Sequence, residues 1–292
     1  TTWMPLTDNM PFYSTGSVTI DPNDSSRIWV GTGENVAGRH VGIGHGIYLS
    51  KDSGSTWDNM GLKKSEHISK IIVHPDNSDI IWVASQGPLW NSGGDRGLFM
   101  SNDGGNTWSN KLYVNEWTGV TDIIIDPTNP DILYAATWQR HRNVASLIDG
   151  GPGTSIYKST DNGITWSDQI IVWSDGENTC GNPTPVIDHQ TGRIWLFLTW
   201  NHGDDNETQI IHKKSKFPRL PYLSFSDDDG LTWSEPKNMN DSCRNPSWGW
   251  YATGPGVGIQ IKKGKFKGRL VIPSNHSYDD INGKIRNGPF NY

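Results

Sequence analysis

Apolar positions along this chain fall in short bursts separated by Asp, Asn, Pro and Gly. Val18-Thr19-Ile20-Asp21-Pro22 is followed by Arg27-Ile28-Trp29-Val30, and Ile71-Ile72-Val73-His74-Pro75 by Ile80-Ile81-Trp82-Val83. Ile123-Ile124-Ile125-Asp126-Pro127 with Ile132-Leu133-Tyr134-Ala135 is a third pair, and Pro185-Val186-Ile187-Asp188 with Arg193-Ile194-Trp195-Leu196 a fourth. Brief β-branched runs bounded by turn residues predict paired strands, not helices. A third burst follows each pair, as in Ile47-Tyr48-Leu49-Ser50 and Ile156-Tyr157-Lys158-Ser159.

Each third burst ends in the pattern S-x-D-x-G-x-T-W. It spans Ser50 to Trp57, Ser101 to Trp108, Ser159 to Trp166 and Ser226 to Trp233, without a mismatch. The pattern is the Asp-box. Its aspartates, Asp52, Asp103, Asp161 and Asp228, suit a structural role: a carboxylate accepts backbone N–H bonds inside a hairpin turn, and the glycine takes a backbone angle other residues avoid. The tryptophan leaves the turn to pack between sheets.

Four antiparallel strands in each repeat predict an all-β chain folded as a β-propeller. The expected blades are 15–60, 68–115, 118–172, 183–237 and 252–292. The opening Thr1-Thr2-Trp3-Met4-Pro5-Leu6 resembles the end of a box and the strand after it, so residues 1–6 are expected to supply the last strand of the fifth blade and close the ring. The whole of 1–292 then forms one domain. Six blades are the alternative, if 238–252 hides irregular strands or the sequence is an excerpt.

Composition agrees with many short strands and tight turns: 33 glycines, 17 prolines and 15 tryptophans, with 19% charged residues. No apolar run is long enough to span a membrane. The opening residues carry no basic or apolar leader, so a targeting peptide is expected to have been removed or never to have been there. A net charge of −6, with basic residues concentrated only at 262–269, argues against nucleic acid as a partner. Sequons at Asn23, Asn206, Asn240 and Asn275 point to an extracellular, secreted glycoprotein.

In the expected fold the box turns lie on one face and the long loops on the other, where function concentrates. Those loops are 32–46, 85–96, 136–154 and 199–221. They and the adjoining connections carry the ligand-binding candidates Arg39, His40, Arg96, Trp138, Arg140, Arg142, Arg244, Trp248, Trp250 and Tyr251. Arginine can clamp a carboxylate, and Trp and Tyr offer flat faces to sugar rings; the competing reading is that each arginine pairs with a neighbouring carboxylate. No spacing typical of a transition-metal site occurs, so no metal or other cofactor is expected, and only Asp204, Asp205 and Asn206 offer oxygen ligands suited to Ca²⁺. Cys180 and Cys243 precede equivalent strands of adjacent repeats and are candidates for a disulfide; two unpaired thiols are the alternative.

Two resemblances emerge from longer phrases. Residues 1–170 resemble sortilin-like Asp-box proteins through IWVGTGE, GIYLSKDSGSTWDNMGL, IIVHPDNSDIIWVASQGPLW and ILYAATWQR. Residues 181–277 resemble exo-α-sialidases through GNPTPVIDHQTGRIWLF, YLSFSDDDGLTWSEP, PSWGWYATGPGVGIQ and KGRLVIPSNHS. Sialidases hold the sialate carboxylate with arginines and use a Tyr nucleophile assisted by Glu, with Asp as acid/base. The first arginine stands in an Arg-Ile-Pro strand that has no match here, and the acid/base Asp that follows it has no matched position. The remaining arginines and the Tyr/Glu pair belong beyond Ser277, where this sequence soon ends. The run Ser247 to Gly256 does carry over, as pocket wall and scaffold, with Asn182 and Pro183 as loop framework. The resemblance therefore implies a secreted module that binds a glycan, glycoprotein or another secreted protein without the standard catalytic set, and no catalytic residue is assigned. The alternative is a glycoside hydrolase removing terminal sialic acid or another anionic sugar.

Overall fold

The computed structural model describes residues 2–36, 38–254, 256–280 and 282–288. Thr1 of the expected closing strand, Pro255 of the Ser247–Gly256 run and residues 289–292 of the last expected strand lie outside them. The chain forms two compact units, Thr1–Gln169 and Ile170–Tyr292.

In the first unit, β1 (Thr15–Ile20), β2 (Ile28–Thr32), β3 (Ile47–Ser50) and β4 (Asp58–Asn59) make one antiparallel sheet in chain order. A second follows in the same order from β5 (Ile68–His74), β6 (Asn77–Ser85), β7 (Gly97–Ser101) and β8 (Ser109–Leu112). In the third, β9 (Thr118–Asp126), β11 (Leu147–Asp149) and β12 (Ile156–Ser159) all pair with the long β10 (Asn129–Arg142). One apolar core joins the first two sheets through Trp29, Leu49, Ile71 and Val83. Another joins the second and third through Trp82, Leu98, Ile123 and Leu133.

The second unit contains β13 (Thr179–Ile187), β14 (Ile194–Asn201), α1 (Glu207–Ile211), β15 (Leu220–Ser226) and β16 (Lys237–Asn238). Its strands form a fourth four-stranded sheet. After α2 (Asn240–Cys243) come β17 (Tyr251–Thr253), β18 (Ile259–Gln260), β19 (Leu270–Val271), β20 (Ser274–Asp279) and β21 (Ile285–Gly288). These give a three-stranded sheet, β17-β20-β21, and a separate β18-β19 pair.

The box turns have the same geometry in all four repeats. Asp103 Oδ1 accepts from Ser101 Oγ at 2.7 Å and from the Thr107 backbone N–H at 2.9 Å. Asp52, Asp161 and Asp228 make the equivalent bonds. Two consecutive left-handed residues turn the chain, as at Gly104 (φ 69°) and Gly105 (φ 89°). The second must be glycine for space as well: a Cβ on Gly105 would stand 2.5 Å from the Trp29 ring, and one on Gly163 2.7 Å from the Trp82 ring. Each of these turns thus packs on a strand tryptophan of the preceding sheet.

The closed five-bladed propeller expected from the repeats, and its six-bladed alternative, are not what forms. Among the described residues no sheet closes into a ring or barrel, and the last sheet has three strands. Residues 2–6 form no strand; Trp3 is 93% exposed. The first box turn claims this segment instead. The Leu6 carbonyl accepts Trp57 Nε1–H at 3.1 Å, and the Leu6 side chain lies against Gly54 of the first box turn.

Candidate functional site

A concavity of the second unit is built where α2 leads into β17. A cavity of about 610 Å³ is lined by Trp248, Tyr251, His276, Cys243 and Ser274, with Val257, Ile259, Val271, Ile272 and Pro273. Pairing of β17 with β20 sets Tyr251 opposite His276. Trp248 lies over His276 with ring centroids 3.6 Å apart and planes 9° apart, and is within 4° of parallel to Tyr251 at 6.2 Å. Tyr251 is buried and its hydroxyl donates to Ser274 Oγ at 3.0 Å; burial pushes its phenol up, against that hydrogen bond. Arg244 fixes the loop by donating to Asn240 Oδ1 and to the Trp248 carbonyl. No carboxylate among the described residues forms an ion pair with it, and burial holds its guanidinium below the usual range.

Arg219, not among the candidates read from the sequence, supports this wall. Its guanidinium is buried, lies 4.6 Å from the centre of the Trp250 ring, and donates to Thr199 Oγ1, Asn201 Oδ1 and Asn182 Oδ1. Desolvation lowers it to about 10, still a cation at neutral pH. Asn182 (φ 51°) passes the support on by donating to the Thr253 carbonyl at 3.1 Å. Trp250 Nε1–H donates to Asn275 Oδ1 at 2.8 Å. The signal for Arg219 was available: an arginine directly before an apolar strand, with no acidic residue beside it.

The first unit holds the remaining candidates. Arg39 and His40 are exposed, and Arg39 donates to the Val144 carbonyl at 2.8 Å. Arg96 is fully buried and donates to the backbone carbonyls of Gln86, Pro88, Asn91, Gly93 and Trp117. Arg140 is fully buried beside Trp138, at 5.0 Å from the ring centre, and Arg142 is half-buried. The reading of 136–154 as a long loop is corrected here: β10 runs on to Arg142 and pairs with β11, Arg140 opposite Asp149. The register shifts between Ala136 and Thr137, where β9 carries the extra residue Thr121; the buried alternation of Leu133, Ala135 and Thr137 breaks only beyond it, at Arg140.

Cys180 and Cys243 are free thiols, which corrects the expected disulfide. Cys180 sits in β13 opposite Trp200, whereas Cys243 ends α2 and lines the cavity. Asn23 and Asn206 are exposed; Asn240 and Asn275 are half-buried, with their side-chain oxygens engaged by Arg244 and Trp250. Asp204 pairs with Lys216, Asp205 accepts two backbone N–H groups, and Asn206 caps α1. Among the described residues no three His, Cys, Asp or Glu side chains cluster as a metal site, and no helix is long and apolar enough to cross a membrane.

The lining of this cavity sets its chemistry. An apolar floor and aromatic wall suit the face of a ring, and Ser274, the Tyr251 hydroxyl and the Cys243 thiol supply polarity. Residues 133–287 match the family described as BNR repeat-like domain, and residues 45–168 match the one described as Sortilin, neurotensin receptor 3. An Exo-alpha-sialidase of Aspergillus fumigatus is 34% identical over 169 residues, 52% of this chain and 39% of its own. A Sialidase of Bacteroides fragilis is 32% identical over 157 residues, 49% of this chain and 27% of its own. The chain thus spans about two fifths or less of the length of these curated relatives. Among solved structures, Hadza microbial sialidase Hz136 gives a TM-score of 0.41 at 23% identity, covering 73% of this chain and 43% of that one.

Proposed function

The chain belongs to the BNR repeat-like domain family, and from that premise we propose that it is a secreted glycan-binding module whose second unit takes an acidic sugar such as sialic acid. The observation that carries this reading is the near-parallel set of Trp248, Tyr251 and His276 rings along one wall of the cavity. Sugar faces are apolar and pack on such rings. The similarity to proteins named sialidases supports the same substrate class. A glycoprotein bearing that sugar is the expected partner.

Glycan-array profiling of the wild type against Trp248→Ala tests the proposal. Sialylated glycans are retained by the wild type and lost at least tenfold by the variant; equal retention by both, or none by either, overturns it. Hydrolysis is the second reading, favoured by the 34% identity to an Exo-alpha-sialidase. A sialoside reporter separates the two: a binding module gives no turnover, and release of product sensitive to Tyr251→Phe establishes the hydrolase.

A further inference from the structure

Several polar side chains of the first unit are buried together at one edge of its three sheets. Ser14 precedes β1, His67 precedes β5, Gln86 follows β6, Arg96 precedes β7, and Arg140 lies near the end of β10. In antiparallel sheets the start of one strand and the end of the next share an edge, so these positions converge. Hydrogen bonds join them. The Gln86 N–H donates to the His67 carbonyl at 2.9 Å, and Arg96 Nη1 to the Gln86 carbonyl at 2.6 Å. Arg140 spans from the third sheet to the first: its backbone N–H reaches the Trp117 carbonyl at 3.1 Å, and its Nη1 the Val36 carbonyl at 3.0 Å.

The rest of the Arg140 guanidinium is unused. It is 0% exposed, yet neither Nε nor Nη2 has a hydrogen-bond partner among the described residues. The same holds for both amide atoms of Gln86 and for Ser14 Oγ. Buried donors left this way are costly, so such a cluster requires something to accept from it. Nε and Nη2 form one edge of the guanidinium. Arg193 shows what that edge does, holding both oxygens of Asp227 at 2.6 and 2.8 Å. No carboxylate among the described residues forms an ion pair with Arg140; Arg96 repels it, and Asp149 attracts it from beyond contact. Glu34, near His67, has Oε2 taken by the Gly42 N–H at 3.0 Å. His67 is held neutral, at about 4, first by burial and then by the charge of Arg140.

We propose that Arg140, with Gln86 and His67, forms a buried receptor for a small carboxylate, gripped at two points by Nε and Nη2. The planar fork matches a carboxylate, the Gln86 amide supplies a further donor, and uncharged His67, close enough to feel the charge of Arg140, completes the polar lining. Full burial of Arg140 and Gln86 limits the ligand to a few heavy atoms. The site belongs to the first unit alone and does not depend on the sugar cavity of the second.

The test titrates the full chain with sodium acetate against sodium chloride at matched ionic strength, reading tryptophan fluorescence near Trp138 and the thermal midpoint. Wild type responds saturably to acetate and not to chloride. Arg140→Lys keeps the charge but loses the fork, and binds at least tenfold more weakly. Gln86→Met, less disruptive to folding, weakens binding several-fold. A crystal structure from acetate shows a carboxylate on Nε and Nη2. No acetate response beyond chloride, responses unchanged in both variants, or water alone on that edge overturns the proposal.

Discussion

Arg219 stands over Trp250, its guanidinium carbon 4.6 Å from the ring centre, and joins three neutral side-chain acceptors beneath the cavity wall. Arg219→Met keeps the bulk but leaves Thr199, Asn201 and Asn182 without their donor. Each orphaned buried acceptor costs about 1–3 kcal/mol, so a loss of about 3 kcal/mol or more is expected. Denaturant unfolding followed by tryptophan fluorescence measures it. Arg219→Lys recovers little, because one ammonium cannot serve three acceptors with Arg geometry. Equal stability of Arg219→Met and wild type would remove this network from the account of the site.

Acid stability is expected to fall in two windows. Asp52, Asp103 and Asp161 are held down to about 2, first by the bond from the box threonine hydroxyl and then by its backbone N–H. A depressed carboxylate contributes stability above its unfolded value, near 4, and loses it as pH falls toward 2. His67, pushed down to about 4 by burial, acts in the higher window: its contribution is full above about 6.5 and disappears as pH falls to about 4. Thermal midpoints measured against pH should show both slopes. Asp103→Asn flattens the lower slope and His67→Gln the upper; a variant that changes the other window contradicts the assignment.

The box glycines carry a separable steric demand. Gly105 and Gly93 both have positive φ, 89° and 71°, but a Cβ meets Trp29 at the first and nothing within 4 Å at the second. Gly93→Ala is therefore expected to cost only left-handed backbone strain, about 1–2 kcal/mol. Gly105→Ala adds overpacking of about 1–3 kcal/mol. Chemical denaturation of the two variants checks the order, and similar costs would mean that the turn does not press on Trp29.

These positions also show what a sequence reveals and what it withholds. A box turn is written in eight consecutive residues, because Asp103 bonds to groups four residues on, and such local chemistry can be read directly. The paired strands are legible for the same reason. Ring closure required residues 1–6 to pair with strands at the other end of the sequence, and no local pattern encodes that choice; Leu6 goes instead to Trp57, 51 residues on, and to Gly54. In the site, Trp248, Trp250, Tyr251 and Arg244 were visible as residue types that recognise sugars, and the structure places them around one loop. His276 was not, since its role comes from the register of β17 on β20 and from stacking on Trp248.

The two thiols provide a test of the cavity that does not depend on mutating it. Burial pushes both thiols up, for Cys180 with the nearby charge of Asp175 adding to the effect, so both should alkylate more slowly in the folded protein than after unfolding. Mass spectrometry without reductant should show two labels and no disulfide-linked peptide. The thiols differ in place: Cys243 lines the cavity with Trp248 and Tyr251, whereas Cys180 lies in β13 and is not part of that lining. A sialylated oligosaccharide at saturating concentration should therefore slow labelling of Cys243 several-fold and leave Cys180 unchanged, and Trp248→Ala should abolish the protection. Protection of both cysteines alike would indicate general stiffening of the unit. Protection of neither, with binding still measurable, would place the sugar elsewhere on the molecule.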